Sequence, residues 1–182
     1  MRTVELACAD RARLRGVVVT YYEFVWRVLR RLGLSPDEVD DATQEAFAVL
    51  ASKIGAVGDG AEKSYLFHTA SHLAANVRRR RARLPAQAGD AELDAHPDPR
   101  PTPESLVDTS ERWRLLDALL SRLPEELRAV FILCELESTT LAEAASMLAI
   151  PQGTAASRLR RARAQLLAWM QDRSTDPRKD EP

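Results

Sequence analysis

Apolar residues recur along the first third of the chain at three- and four-residue intervals, the spacing of a helix with one buried face. Tyr21, Phe24, Val25, Val28, Leu29 and Leu32 make the first such stripe. LGLSP at 32–36 combines a helix stop with a new start. Ser35, with Pro36 in the first turn and Glu38 three residues on, predicts a capped second helix whose inner stripe is Val39, Ala42, Ala46, Val49 and Leu50. Beyond the glycine-rich break GAVGDG at 55–60, Leu66, Thr69, Ala70, Leu73 and Val77 predict a third helix that runs into a series of arginines. The first half is thus expected to be a bundle of three or four helices.

The periodicity then stops. Residues 85–105, PAQAGDAELDAHPDPRPTPES, hold five of the ten prolines and show no apolar period, a composition that cannot bury a core and predicts a linker. Past it, 111–123 forms one amphipathic stretch, and Pro124 opens another with Leu127, Val130, Phe131 and Leu133. Two shorter helices are expected next. Thr140 and Glu143 make a capping box ahead of Leu141, Ala144, Ala145 and Leu148, the tight connection AIP occupies 149–151, and Ala155, Leu159, Ala162 and Leu166 mark the buried side of a last helix. Two helices joined this way form a helix-turn-helix, whose second helix enters the major groove of DNA. The fold class that follows is all-α: two small helical domains joined by a Pro-rich acidic linker, the second ending in a helix-turn-helix. Their expected limits are 17–84 and 109–171, with the linker at 85–108 and a disordered tail at 172–182.

Composition supports helices over sheet, since aromatic residues make up 5% of a chain that is 45% apolar. Cys8 and Cys134 stand far apart with no CxxC or Cys/His cluster, which predicts neither a disulfide framework nor a zinc site and suits a reducing cytoplasm. No run approaches the roughly 20 apolar residues of a membrane span, and the start of the chain lacks the apolar core of a signal peptide. A soluble cytoplasmic protein is expected, with no membrane insertion.

A formal net charge of -1 argues against a nucleic-acid binder until the charge is divided along the chain. Residues 1–84 carry 14 basic and 10 acidic groups, 85–111 carry 1 and 7, and 112–182 carry 11 and 10. The basic groups are 23 arginines against 3 lysines, concentrated in RRRRAR at 78–83 and RLRRAR at 158–163, so any phosphate-seeking charge is local. On the last helix, Ser157, Arg160, Arg161 and Ala164 point away from the buried stripe and are flanked by Arg158 and Arg163. That face offers guanidinium forks and a hydroxyl to base edges and phosphates, with small residues allowing close approach. An arginine run alone is more often a solvated helix face; the capped helix and tight turn before this one tip the balance toward DNA. Arg78, Arg79, Arg80, Arg81 and Arg83 admit a plain reading as cations at a helix C-terminus and a functional one as phosphate contacts. Upstream of them, Tyr65 and Phe67 are candidates to stack on unpaired bases, although spacing alone favours core packing. Trp26, Trp113 and Trp169 lie in amphipathic stretches, where packing is again the default.

Asp40, Asp41, Gln44 and Glu45 lie opposite the apolar stripe of the second helix and give it an acidic, hydrogen-bonding surface. Paired carboxylates invite an enzyme reading, but Asp40 and Asp41 are adjacent and diverge on a helix. His68, His72 and His96 lack metal-site spacing, and neither a GxSxG motif nor a glycine-rich phosphate loop is present. The expectation is no catalysis, no metal and no cofactor.

From about Val17 to Trp169 the chain resembles the ECF (extracytoplasmic function) group of bacterial RNA polymerase sigma factors. LAEAASMLAIPQGTAASRLRRAR is similar to the promoter-binding domain four, whose final helix typically reads GTVKSRLxRAR; Gly153, Thr154, Ser157, Arg158, Leu159, Arg161, Ala162 and Arg163 match it. DDATQEAF at 40–47 resembles EDLVQEVF, matching at Asp41, Gln44, Glu45 and Phe47, and YLFHTASHLAANVRRRRAR at 65–83 is similar to WLYRIARNxxxDxxRRRRR. Departures are Tyr65 for the usual Trp, Ser71 and His72 for Arg-Asn, Asn76 for Asp, ESTTLAEAA at 137–145 for EGLSYEEIA, Ala149 for the turn glycine and Ala156 for a basic residue.

The resemblance implies a protein without catalysis of its own that acts in transcription initiation. Asp40, Asp41, Gln44, Glu45 and Phe47 would bind core RNA polymerase at the β′ clamp, with a second contact at the β flap. Tyr65, Phe67, Asn76, Arg78, Arg79, Arg80, Arg81 and Arg83 would hold the melted minus-ten region. Thr154, Ala156, Ser157, Arg158, Arg160, Arg161 and Arg163 would bind the minus-thirty-five element of promoter DNA. The resemblance also implies an anti-sigma factor as a further partner, and a free chain that is monomeric. The alternative from another class is a stand-alone helix-turn-helix regulator, most naturally dimeric, for which no dimerisation helix or ligand pocket is visible.

Overall fold

The computed structural model describes residues 8–83 and 115–175, all of whose regular structure is helical. The expected linker at 85–108 and Trp113 lie outside the described residues, as do 176–182. The chain divides into two compact units, Met1–His96 and Pro97–Pro182.

The first unit packs α1 (Cys8–Arg31), α2 (Pro36–Lys53) and α3 (Glu62–Arg83), with a 3-10 turn at Ile54–Ala56 between the last two. The periodic residues of α1 face inward as expected: Val25, Val28 and Leu29 are wholly buried, and Tyr21 is half-buried. α1 begins nine residues ahead of the expected limit at 17. Arg13 anchors that extra length by donating to Glu62 Oε1 from Nε at 2.9 Å and Nη2 at 2.6 Å, and to the carbonyls of Ile54 at 3.1 Å and Val57 at 2.7 Å. Gly33 ends α1 at φ +92, with Gly33 N–H bonded to Arg30 O and Leu34 N–H to Leu29 O, the paired bonds of a Schellman cap. α2 starts as the sequence predicts: Glu38 Oε2 accepts from Ser35 N at 2.9 Å and from Ser35 Oγ at 2.8 Å.

The inner face of α3 differs from the expected one. Leu66, Phe67, Ala70 and Ala74 are buried, while Thr69, Leu73 and Val77 are only half-buried. At about 100° per residue, the buried stripe is turned by roughly 50° from the expected one. The small residues Thr69 and Ala70 make the period ambiguous, and the large Phe67 ring settles it by occupying the core.

In the second unit α4 (residues 115–122 as described) leads through Pro124 into α5 (Glu125–Phe131), which runs on as a π-helical turn, Ile132–Leu136. α6 (Leu141–Met147) and α7 (Gln152–Thr175) complete it. Leu119, Leu120, Leu123, Leu127, Ala162 and Leu166 form a core cluster, with Trp169 packed against it and the Arg122 guanidinium 4.6 Å from the centre of its ring. Arg128 is buried on α5 and donates to Ser121 O and Leu123 O at 2.7 and 2.9 Å, satisfying carbonyls at the end of α4. Helix α7 has 24 residues, not the short helix expected, and runs to Thr175, past the expected limit at 171; Leu166 and Trp169 pack its second half on the core.

Candidate DNA and polymerase surfaces

The helix-turn-helix forms as its punctuation demands. Thr140 Oγ1 accepts from Glu143 N–H at 3.3 Å, and Glu143 Oε2 accepts from Thr140 N at 3.0 Å and Oγ1 at 2.7 Å, so the capping box fixes the start of α6. α6 ends with Ala149 N–H on Ser146 O and Ile150 N–H on Ala145 O, a Schellman cap whose left-handed residue is Ala149, at φ +52. Ala155, Leu159, Ala162 and Leu166 are buried, the stripe expected of α7. Its opposite face presents Ala156, Arg160, Arg161 and Ala164 to solvent, with Thr154, Ser157 and Arg158 half-buried at its edge. Ser157 Oγ donates to Thr154 O at 2.9 Å. Arg163 is exposed too, yet both its Nε, at 3.1 Å, and its Nη2 bond Glu135 Oε1 on the π turn. Sequence reasoning missed that partner, since Glu135 lies 28 residues away on the π turn and no local pattern encodes the pair. Beside it, burial and then the Glu135 charge push the Cys134 thiol up; a neutral thiol is unreactive.

On α2, Asp40, Asp41, Gln44 and Glu45 are all exposed. Asp40 Oδ1 accepts from Trp26 Nε1 at 3.0 Å, tying that face to α1. Phe47, expected on the same surface, is 9% exposed and stacks on Tyr22 at 6.2 Å between ring centres, so it packs under the surface instead of presenting itself. Tyr22 and, one turn earlier on α1, Val19 are 40% and 81% exposed.

On α3 the candidates separate. Phe67 is 1% exposed, which corrects its reading as a base-stacking ring: its faces are already covered by the core. Tyr65 is half-buried and lines a depression of about 660 Å³ together with Lys53, Ser64, His68, Thr69 and His72. This depression was not legible in the sequence, because part of its wall comes from the 3-10 turn and the loop after it, through Ala56, Val57, Gly58 and Ala61. Asn76 is exposed and accepts from Arg79. Arg80 and Arg83 are exposed with no ion-pair partner among the described residues. Arg78 is half-buried and bonds Leu32 O at 2.9 Å, and Arg81 pairs with Glu38.

Among the described residues no group of three His, Cys, Asp or Glu side chains is placed to hold a metal, and no helix is long and apolar enough to cross a membrane.

Comparison with known proteins matches residues 17–84 to "Sigma-70 region 2" and residues 113–166 to "Sigma-70, region 4". The ECF RNA polymerase sigma-E factor of Haemophilus influenzae is 30% identical over 162 residues, covering 85% of each chain. The ECF RNA polymerase sigma factor SigE of Mycolicibacterium smegmatis is 30% identical over 152 residues, 84% of this chain and 59% of that longer one. Two solved structures share the fold at 18% identity. One is CnrH in complex with the cytosolic domain of CnrY, with a TM-score of 0.68 and coverage of 89% and 90%. The other is the sigma factor RpoE in complex with the anti-sigma factor NepR from Bartonella quintana, with a TM-score of 0.63 and coverage of 86% and 96%.

Proposed function

Because the chain belongs to the ECF group of RNA polymerase sigma factors, we propose that its two units divide the work of transcription initiation between them. The first docks on core polymerase through Asp40, Asp41, Gln44 and Glu45 of α2, with Tyr22 and Val19 of α1 as the adjoining apolar surface. Phe47 stiffens that surface from below. The same unit meets the melted minus-ten strand through Tyr65 and the depression it lines, with Asn76 and exposed arginines of α3 beside the backbone. The second unit sets Ser157, Arg158, Arg160 and Arg161 of α7 in the major groove of the minus-thirty-five element, Thr154 and Ala156 marking where the helix enters. The observation that carries this reading is the helix-turn-helix with its arginines on the face opposite the buried stripe.

The protein has no catalytic task; polymerase supplies the chemistry. It works in the cytoplasm as a monomer until bound. The two units act together, because holding one on polymerase raises the effective concentration of the other at DNA. An anti-sigma protein that covers the α1–α2 surface or α7 holds the factor inactive; the structural relative RpoE from Bartonella quintana is itself bound to an anti-sigma factor, NepR.

The test is capture of core RNA polymerase by the purified chain, followed by transcription from a promoter library. Asp41→Arg is expected to abolish capture. Arg161→Ala is expected to keep capture and lose about 1 to 3 kcal/mol at one promoter position if it reads a base, or weaken all promoters equally if it touches phosphate. A free dimer that binds DNA and ignores polymerase would falsify the proposal.

A further inference from the structure

Three guanidinium groups converge on the turn between α1 and α2. Arg30 Nη1 donates to Leu34 O at 2.7 Å, Arg78 Nη1 to Leu32 O at 2.9 Å and Arg81 Nη1 to Gly33 O at 3.3 Å. These carbonyls lie just past the last turn of α1, where the helix dipole leaves partial negative charge and unfilled acceptors. Arg81 also holds Glu38, from Nε to Oε1 at 3.1 Å and from Nη2 to Oε2. Glu38 Oε2 is the atom that accepts from Ser35 N and Oγ to start α2. One carboxylate therefore begins the helix proposed to grip polymerase and holds the end of the helix proposed to meet DNA.

The arginine run sorts by helical phase. At about 100° per residue, Arg78 and Arg81 share one side of α3, and Arg80 and Arg83 share a side roughly 160° away. The first pair spends its donors on the protein, and the charge of Arg81 is neutralised by Glu38. The second pair is exposed and has no ion-pair partner among the described residues.

We infer that Arg78 and Arg81 are positioning residues that lock the polymerase-binding helix to the DNA-binding helix, while Arg80 and Arg83 carry the phosphate contacts of the run. The inference rests on the sigma-factor reading and sharpens it. A guanidinium that neutralises a phosphate releases counterions, so its removal lowers the steepness of affinity against salt by about 0.7 to 0.9 per contact. A guanidinium committed to carbonyls and a carboxylate leaves that slope alone and acts on the fold.

The experiment uses the full chain, its complex with bacterial core RNA polymerase, and a duplex with a premelted segment of random sequence, bound over a salt series. Arg80→Ala is expected to reduce the slope by one such step while leaving thermal unfolding and polymerase affinity unchanged. Arg81→Ala is expected to leave the slope intact, lower the unfolding midpoint by about 2 to 4 °C, as befits a partly exposed pair, and weaken polymerase binding several-fold. Glu38→Gln, which keeps the cap but not the charge, is expected to follow Arg81→Ala in both stability and polymerase affinity, and the double variant is expected to be no worse than either alone. A slope that drops with Arg81→Ala as it does with Arg80→Ala, at an unmoved midpoint, overturns the inference. A wild-type chain that forms no complex with core polymerase is a different failure, and takes the functional reading with it.

Discussion

Replacing Ala149 by glycine should stabilise the second unit. Ala149 sits at φ +52 in the cap that ends α6, with Ile150 N–H on Ala145 O and its own N–H on Ser146 O. The first unit builds the same cap with glycine, Gly33, at φ +92. An L-residue in this left-handed region pays about 1 to 2 kcal/mol because its Cβ crowds the following carbonyl oxygen. Glycine removes that cost but returns roughly 0.4 to 1 kcal/mol through the greater freedom of the unfolded chain. The net expectation for Ala149→Gly is a gain of about 0.5 to 1 kcal/mol, which raises the midpoint of a domain this size by roughly 2 to 8 °C. Ala149 is exposed, so no packing is lost. Gly33→Ala is the reciprocal change: a Cβ built there meets nothing within 4 Å, leaving backbone strain as the sole cost. Calorimetry of the full chain should show Ala149→Gly raising one transition and Gly33→Ala lowering the other. If Ala149→Gly leaves the melting profile where it was, or lowers it, the strain argument for the turn is wrong.

Phe67→Ala should cost about 3 to 5 kcal/mol as a core deletion, removing polymerase and DNA binding together; a selective loss of DNA binding at unchanged melting would return this ring to the DNA surface. For Glu62, burial pushes the carboxyl up, but the bonds and charge of Arg13 outweigh it and hold it below the ordinary 4.5. A folded value below the unfolded one adds stability above about pH 4.5 and withdraws it as pH falls through the lowered value. Urea unfolding between pH 3 and 6 should therefore show a steep acid loss that Arg13→Met flattens, and equal profiles for the two proteins would refute the clasp. Arg163→Ala and Glu135→Ala should lower the thermal midpoint alike, with the double variant no worse than either, whereas Arg160→Ala leaves melting unchanged and weakens promoter binding. A weakening of promoter binding by Arg163→Ala at constant melting would show that its bond to Glu135 yields to DNA.

The elements were legible because two kinds of signal agreed. The apolar period located α1, α2 and α7, and the pairs Ser35–Glu38 and Thr140–Glu143 located the starts of α2 and α6, each pair closing as a capping box. Where only one signal was present, phase slipped. α3 offered alanine and threonine at competing positions, and the stripe chosen from them left Phe67 outside when the ring belongs inside. The extra turns of α1 were hidden because their anchor is Arg13 on a carboxylate 49 residues away, and no local pattern encodes such a pair. The π turn at Ile132–Leu136 was equally hidden, since nothing in FILCEL departs from an ordinary helix.

The surfaces were legible only in direction. A helical wheel says which side chains leave the core, and it placed Asp41, Gln44, Glu45, Arg160 and Arg161 where they are exposed. It says nothing about what a long side chain does after leaving. Arg78, Arg81 and Arg163 extend from exposed or half-buried positions and return to the protein, to Leu32 O, Glu38 and Glu135 respectively. For a chain with 23 arginines among 26 basic residues this matters more than the count of charges. An arginine held by a carboxylate offers phosphate no net charge, so the DNA-facing potential of each run is smaller than its sequence suggests. The near-neutral chain is then reconciled with DNA binding by a few guanidinium groups on two short helix faces, while Arg13, Arg81 and Arg163 pair with carboxylates of the protein itself.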